Sequence, residues 1–150
     1  MNFVDLGKVK LDDSLFVSGY FQDRSLAANT YTALTPFSNK GDGLLIQGNK
    51  FVAPKTGTYA IHVGGGTFSA SSTPTAALIK NVEIITGTVY EGTVGVMNLA
   101  GLSMSTVPII SALVYLEASE YLTYHLRSLA AQSTFSNGVT THKFLFSQIR

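Results

Sequence analysis

Three histidines, His62, His125 and His142, nine acidic side chains and the triplet Gly64-Gly65-Gly66 are the parts of this 150-residue sequence that could do chemistry. A hydrolase needs a nucleophile, a base and a group that orients the base. The sequence has no Gly-x-Ser-x-Gly elbow and no cysteine to provide the nucleophile. His62 and His125 each alternate with apolar neighbours, a setting that suits a structural or interface histidine better than a general base. No His-Glu-x-x-His and no paired cysteines occur, and Asp12, Asp13, Asp23, Asp42, Glu83, Glu91, Glu117 and Glu120 lack the odd-position spacing of a calcium loop. The glycine triplet is followed by neither Lys-Ser/Thr nor a helix start, so it reads as a turn or bulge rather than a phosphate cradle. The expectation is a protein that is not an enzyme, with no catalytic residue, no cofactor and no metal.

The elements that must position these residues are strands. In Thr58-Tyr59-Ala60-Ile61-His62-Val63, Tyr59, Ile61 and Val63 share one face, and Thr58, Ala60 and His62 share the other. Similar short stretches run from Leu15 to Phe21, Thr30 to Phe37, Gly43 to Gln47, Lys50 to Ala53, Thr75 to Asn81, Val82 to Tyr90, Thr93 to Leu99, Pro108 to Leu116, Tyr121 to Arg127 and Thr140 to Ser147. Turn formers separate them, among them Asn39-Lys40-Gly41-Asp42-Gly43, Pro54-Lys55-Thr56-Gly57 and Ser136-Asn137-Gly138. Only Ser128 to Ser133 and Ser25 to Asn29 could hold a helical turn. Many short strands at this spacing predict an all-β sandwich or barrel in a single compact domain. Residues 1–28 read as an N-terminal arm with the first strand or strands, and 29–150 as the head.

Charged residues make up 13% of the chain, about half the usual share, while 45% is apolar. Ten basic residues scattered singly give a net charge of +1, with no run to follow a phosphate backbone, which argues against nucleic acid. Met1-Asn2-Phe3-Val4-Asp5 begins no signal peptide. Gly92 to Leu116 carries no charge over a span long enough to cross a bilayer, but Gly95, Asn98, Gly101 and Pro108 interrupt it as they would strands and turns, so no membrane insertion is expected.

One stretch is more specific. Gly48-Asn49-Lys50-Phe51-Val52-Ala53-Pro54-Lys55-Thr56-Gly57-Thr58-Tyr59-Ala60-Ile61 resembles the signature of the complement-type globular head and tumour necrosis factor-like jelly-roll superfamily, in which Gly is followed by Phe-x-Ala-Pro and then Gly-x-Tyr. Ala76 to Asn81, Ser111 to Arg127 and the Phe-rich Lys143 to Ser147 resemble later strands of the same family in the same order. The chain departs from the pattern at Ser119-Glu120, where Gly-Asp is usual, and at Asn81-Val82, where Asn-Gly is common. The resemblance implies a two-sheet jelly roll of about ten strands that forms a homotrimer through apolar and aromatic faces. Seven Tyr and nine Phe in a chain with few charges agree, because subunit contacts would cover surplus apolar surface. Tyr59, Tyr115, Tyr124, Phe144 and Phe146 are the candidate interface residues, with core packing as the competing role for each.

Heads of this kind without stalk, signal peptide or cysteine resemble those of bacteriophage tail, baseplate and fibre proteins. The first expectation is therefore a phage or prophage virion protein, made in the bacterial cytoplasm. It would dock to other virion proteins through its N-terminal arm and bind a host cell-surface saccharide, with avidity from several copies. The alternatives are a purely structural virion or surface-assembly protein, and a cytokine-like or complement-like ligand for a protein receptor.

Overall fold

The computed structural model describes residues 15–65, 67–72, 74–83, 85, 93–98, 104–107, 109–129, 132–135 and 142–149. In chain order the strands are β1 (Phe16–Phe21), β2 (Arg24–Leu26), β3 (Thr32–Ala33), β4 (Pro36–Gly41), β5 (Ile46–Gln47), β6 (Lys50–Val52), β7 (Gly57–Gly64), β8 (Thr67–Ser72), β9 (Pro74–Lys80), β10 (Thr93–Asn98), β11 (Met104–Thr106), β12 (Ile110–Leu116), β13 (Tyr121–Ser128), β14 (Gln132–Phe135) and β15 (Lys143–Ile149). A five-stranded sheet, ordered β12-β7-β15-β1-β4, faces a sheet ordered β10-β9-β13-β6-β5, to which β3 adds along β13. This is the expected two-sheet jelly roll. All strand pairs in both sheets are antiparallel. The described residues include no helix long and apolar enough to cross a membrane.

Alternation decides what lies between the sheets. β1 buries Val17 and Phe21, β7 buries Tyr59, Ile61 and Val63, and β15 buries Phe144 and Phe146. From the opposite sheet Phe51, Leu78, Leu122, Tyr124 and Leu126 meet them. At the centre Phe51 has Phe144 at 5.0 Å and Phe146 at 5.5 Å between ring centroids, while Phe21 lies 4.9 Å from Tyr124. Aromatic rings from both layers thus interlock across the sandwich.

The family-like segment has a structural reason at each residue. Gly48 turns the β5–β6 hairpin at φ +61. Phe51 enters the core, and Ala53 exchanges backbone hydrogen bonds with the next turn, donating to Glu120 O at 2.9 Å and accepting from Ser119 N at 2.7 Å. The Tyr59 hydroxyl donates to Lys55 O at 2.7 Å, and its ring stacks on Phe146. The two departures from the family pattern turn out to face each other. Asn81 and Ser119 both adopt positive φ, at +59 and +76, where glycine would be freer. Asn81 Nδ2 donates to Glu120 Oε1 at 2.9 Å, Asn81 Oδ1 accepts from Tyr121 N at 3.0 Å, and Lys80 Nζ lies 2.7 Å from Glu120 Oε2. Lys80 and the backbone N–H of Glu117 hold the Glu120 carboxyl down at about 2. Side-chain bonds here replace the turn freedom that glycine would have given.

Several local expectations are corrected. Gly43–Leu45 is a single 3-10 turn rather than strand, because Asp42 Oδ1 accepts from Leu44 N at 2.9 Å and caps it. Thr30 to Phe37 divides into β3 and β4, since Leu34 N between them donates to Tyr124 O. Val82 and Glu83 belong to no strand, and the described part of the stretch they begin ends at residue 85. The two expected helical turns are partly strand: Ser25 and Leu26 lie in β2, while Ser128 ends β13 and Gln132 and Ser133 open β14. β2, β8, β11 and β14 form a third, four-stranded sheet that the sequence does not announce, and it raises the strand count above ten. Met1 to Asp13, the expected arm, lies outside the described residues. β1, by contrast, sits inside the five-stranded sheet between β15 and β4.

Gly19 lies at the register shift between β1 and β4, where a Cβ would run into the Phe37 carbonyl. Gly19→Ala is expected to cost about 2 kcal/mol, because β4 is an edge strand and can swing outward. A thermal melt unchanged from the parent would contradict this.

Candidate functional site

The outward face of the five-stranded sheet can be mapped by register. Ser111, His62, Leu145, Ser18 and Lys40 form one row across β12, β7, β15, β1 and β4. Leu113, Ala60, Ser147 and Phe16 form the next, then Tyr115, Thr58 and Ile149. On the other side of the His62 row, Lys143 stands beside Tyr20, which stacks on Phe37 with ring centroids 5.8 Å apart. Leu113 is 69% exposed and Tyr115 58%, with Ile109, Leu145, Ile149 and Phe37 also exposed. These side chains make one apolar patch on the β12 edge and a second over β15, β1 and β4. Isolated exposed hydrophobics need no explanation, but two adjoining clusters on one sheet are an uncommon feature of a lone protomer's surface.

Four of the five candidate interface residues lie in the core, the competing role given to each on sequence. Tyr59, Tyr124 and Phe146 are fully buried, and Phe144 is 2% exposed, so all four pack the protomer's own core and cannot meet a neighbour. Alternation separates two faces without saying which points inward, and for these residues the core role holds. Tyr115 stays on the surface. Sequence reasoning missed Leu113, Leu145 and Ile149, yet a signal was present. Leu113-Val114-Tyr115-Leu116 and Phe144-Leu145-Phe146 are apolar at every position, as in strands covered on both faces.

His62 sits between the two patches, its Nδ1 2.6 Å from Ser111 Oγ. A hydroxyl beside an imidazole is the start of a nucleophile and base pair, but Ser111 is the one partner of His62 among the described residues, so no carboxylate orients the ring. His142 and His125 are interior. His142 Nε2 lies 3.3 Å from the Tyr124 hydroxyl, and burial pulls its pKa to about 4, against a smaller upward pull from Asp23. Burial likewise lowers His125, whose Nε2–H donates to Glu83 O at 3.2 Å, and burial raises the Tyr124 hydroxyl. No three His, Cys, Asp or Glu among the described residues group as metal ligands.

A concavity of about 570 Å³ lies on the outer face of the other sheet, with Tyr31, Gln47, Asn49, Lys50, Glu83 and His125 in its walls. Its polar groups are mostly turned to one another. Lys50 pairs with Glu83 and lies over the Tyr121 ring, Asn49 Oδ1 accepts from Thr35 Oγ1 at 2.6 Å, and Thr123 Oγ1 donates to Val82 O at 2.6 Å. Together they staple the Val82-Glu83 segment over β13.

No family model matches the chain, and no curated protein matches it. Solved structures do. Murine APRIL at pH 8.0 superposes with a TM-score of 0.63 and 14% identity, covering 91% of this chain and 99% of that one. Eiger TNF from S. frugiperda gives a TM-score of 0.54 and 13% identity, covering 91% and 94%. The chain has a tumour necrosis factor-like jelly-roll fold. At such identities the likeness is one of fold, and it extends over nearly all of both chains. Within this tumour necrosis factor-like sandwich β1, grouped with the arm on sequence, is a central strand.

Proposed function

We propose that this chain is the self-assembling, non-enzymatic head of a tumour necrosis factor-like protein ligand, working as a homotrimer. The observation that carries the reading is the apolar outward face of the β12-β7-β15-β1-β4 sheet. Its two patches differ, so copies associate head to tail, the β12 edge of one against the β15, β1 and β4 surface of the next. Such heterologous contacts close into a ring, and the family resemblance gives that ring three members. The virion setting, docking through the arm and a saccharide ligand rest on the sequence resemblance to stalkless heads alone. Fold neighbours that include a TNF support a protein partner instead.

Sedimentation velocity tests the assembly. The parent chain is expected to sediment at three times its 16.0 kDa at micromolar concentration. The double variant Leu113→Asp, Leu145→Asp is expected at the monomer mass with unchanged circular dichroism, since a desolvated carboxylate without a partner costs several kcal/mol at a contact. A monomeric parent chain would sink the reading, and a glycan array bound by the intact oligomer would return the ligand class to saccharide.

A further inference from the structure

We infer that His62 makes assembly of this head reversible by acid, an inference that rests on the self-assembly reading above. The argument is positional. His62 lies on β7, between the β12 patch and the β15 patch, so a copy seated on either covers it or its rim. Neutral, it shares a hydrogen bond with Ser111 and can enter an apolar contact with its Nδ1 satisfied. Protonated, it would carry a charge into that contact.

Among the described residues of the face, none compensates such a charge. β7 contributes only Thr58 and Ala60 beside it, and β12 contributes Ser111, Leu113 and the phenol of Tyr115. β15 contributes Leu145 and Ser147 together with Lys143, a cation on the same face. Farther along the His62 row stands Lys40 of β4, and Tyr20 of β1 neighbours Lys143. The acids at the ends of these strands, Glu117 past β12, Asp23 past β1 and Asp42 past β4, lie outside the row that holds His62. Imidazolium at this position therefore has Lys143 two residues along the neighbouring strand and no carboxylate in its own row among the described residues. Imidazole is the side-chain type whose charge changes between pH 5 and 8, and a closed ring carries one copy per subunit.

The test is sedimentation of the parent chain, His62→Gln and His62→Lys at pH 8.0 and 5.5, with circular dichroism recorded in parallel. The parent is expected to be assembled at pH 8.0, with the concentration for half-dissociation rising at least about tenfold at pH 5.5. His62→Gln, which keeps a polar partner for Ser111 without a charge, is expected to stay assembled at both. His62→Lys is expected to be folded and dissociated already at pH 8.0, a result that needs no acid. Acid dissociation of His62→Gln equal to the parent's, or an assembled His62→Lys, overturns the inference while leaving the assembly reading standing. A parent chain monomeric at pH 8.0 overturns both.

Discussion

Phe51→Ala is expected to destabilise the fold by about 4 kcal/mol, the middle of the range for removing a buried aromatic ring. Phe51 is fully buried and is the ring through which the β6 side of one sheet touches Phe21, Phe144 and Phe146 of the other. Those three partners stand on β1 and β15, central strands whose backbones are held by paired neighbours on both sides. They cannot close over the vacancy without breaking register, so the cavity persists and its cost is added to the lost transfer energy. Urea unfolding measures this directly. Phe51→Leu, which leaves a smaller hole, should lose much less, and a Phe51→Ala chain within about 1 kcal/mol of the parent would show that the layers are not coupled through this ring.

Acid is expected to weaken the folded protomer through His142, separately from any effect on assembly. In the unfolded chain an imidazole titrates near its ordinary 6.5, whereas burial holds His142 at about 4 in the fold. Between those values the unfolded chain binds the extra proton, so stability rises with pH and is lost on acidification from about 6.5 downward. The loss amounts to about 2 kcal/mol by pH 5 and about 3 kcal/mol by pH 4, and it levels off below. Burial lowers His125 as well, which adds loss in the same direction. The Glu120 carboxyl, held at about 2, contributes only below its ordinary 4.5 and so leaves the upper window clear. Urea unfolding of the parent and of His142→Gln at pH 7.5 and 5.0 checks this. The variant should lose most of the pH dependence, and an equal slope in both would rule His142 out as its source.

Much of the framework could be read from residues whose requirements are local. The segment from Gly48 to Ile61 announces a short strand over Lys50 to Ala53, a turn at Pro54 to Gly57 and an alternating strand beyond it, and each is found where it was expected. β2, β8 and β14 were missed because Arg24-Ser25-Leu26, Thr67 to Ser72 and Gln132 to Phe135 are rich in small hydroxyl residues and carry no apolar alternation to betray a strand. They are made strands by pairing with one another, a tertiary cause that no local window contains. The interaction face was half legible. Period-2 patterns located its strands, but Tyr59 and His62, three residues apart on β7, look equally suited to either side until the opposite sheet is in place. The aromatic Tyr115 and Phe37 do stay on the outward face, and the aliphatic Leu113 and Leu145 join them there.

The position of β1 has a consequence for how the molecule is made. Phe16 pairs with Ser147 and Tyr20 with Lys143, so a strand near the start of the chain acquires its inner neighbour only when β15 has been synthesised. Until then β1 can lean only on β4 within its own sheet, and the edge that β15 will cover stays unpaired. Loop closure over so long a separation is slow, and an apolar strand waiting in a weakly charged chain is open to pairing with its like on a neighbouring ribosome. A nascent chain of this protein therefore carries an unpaired β1 edge until β15 has been made.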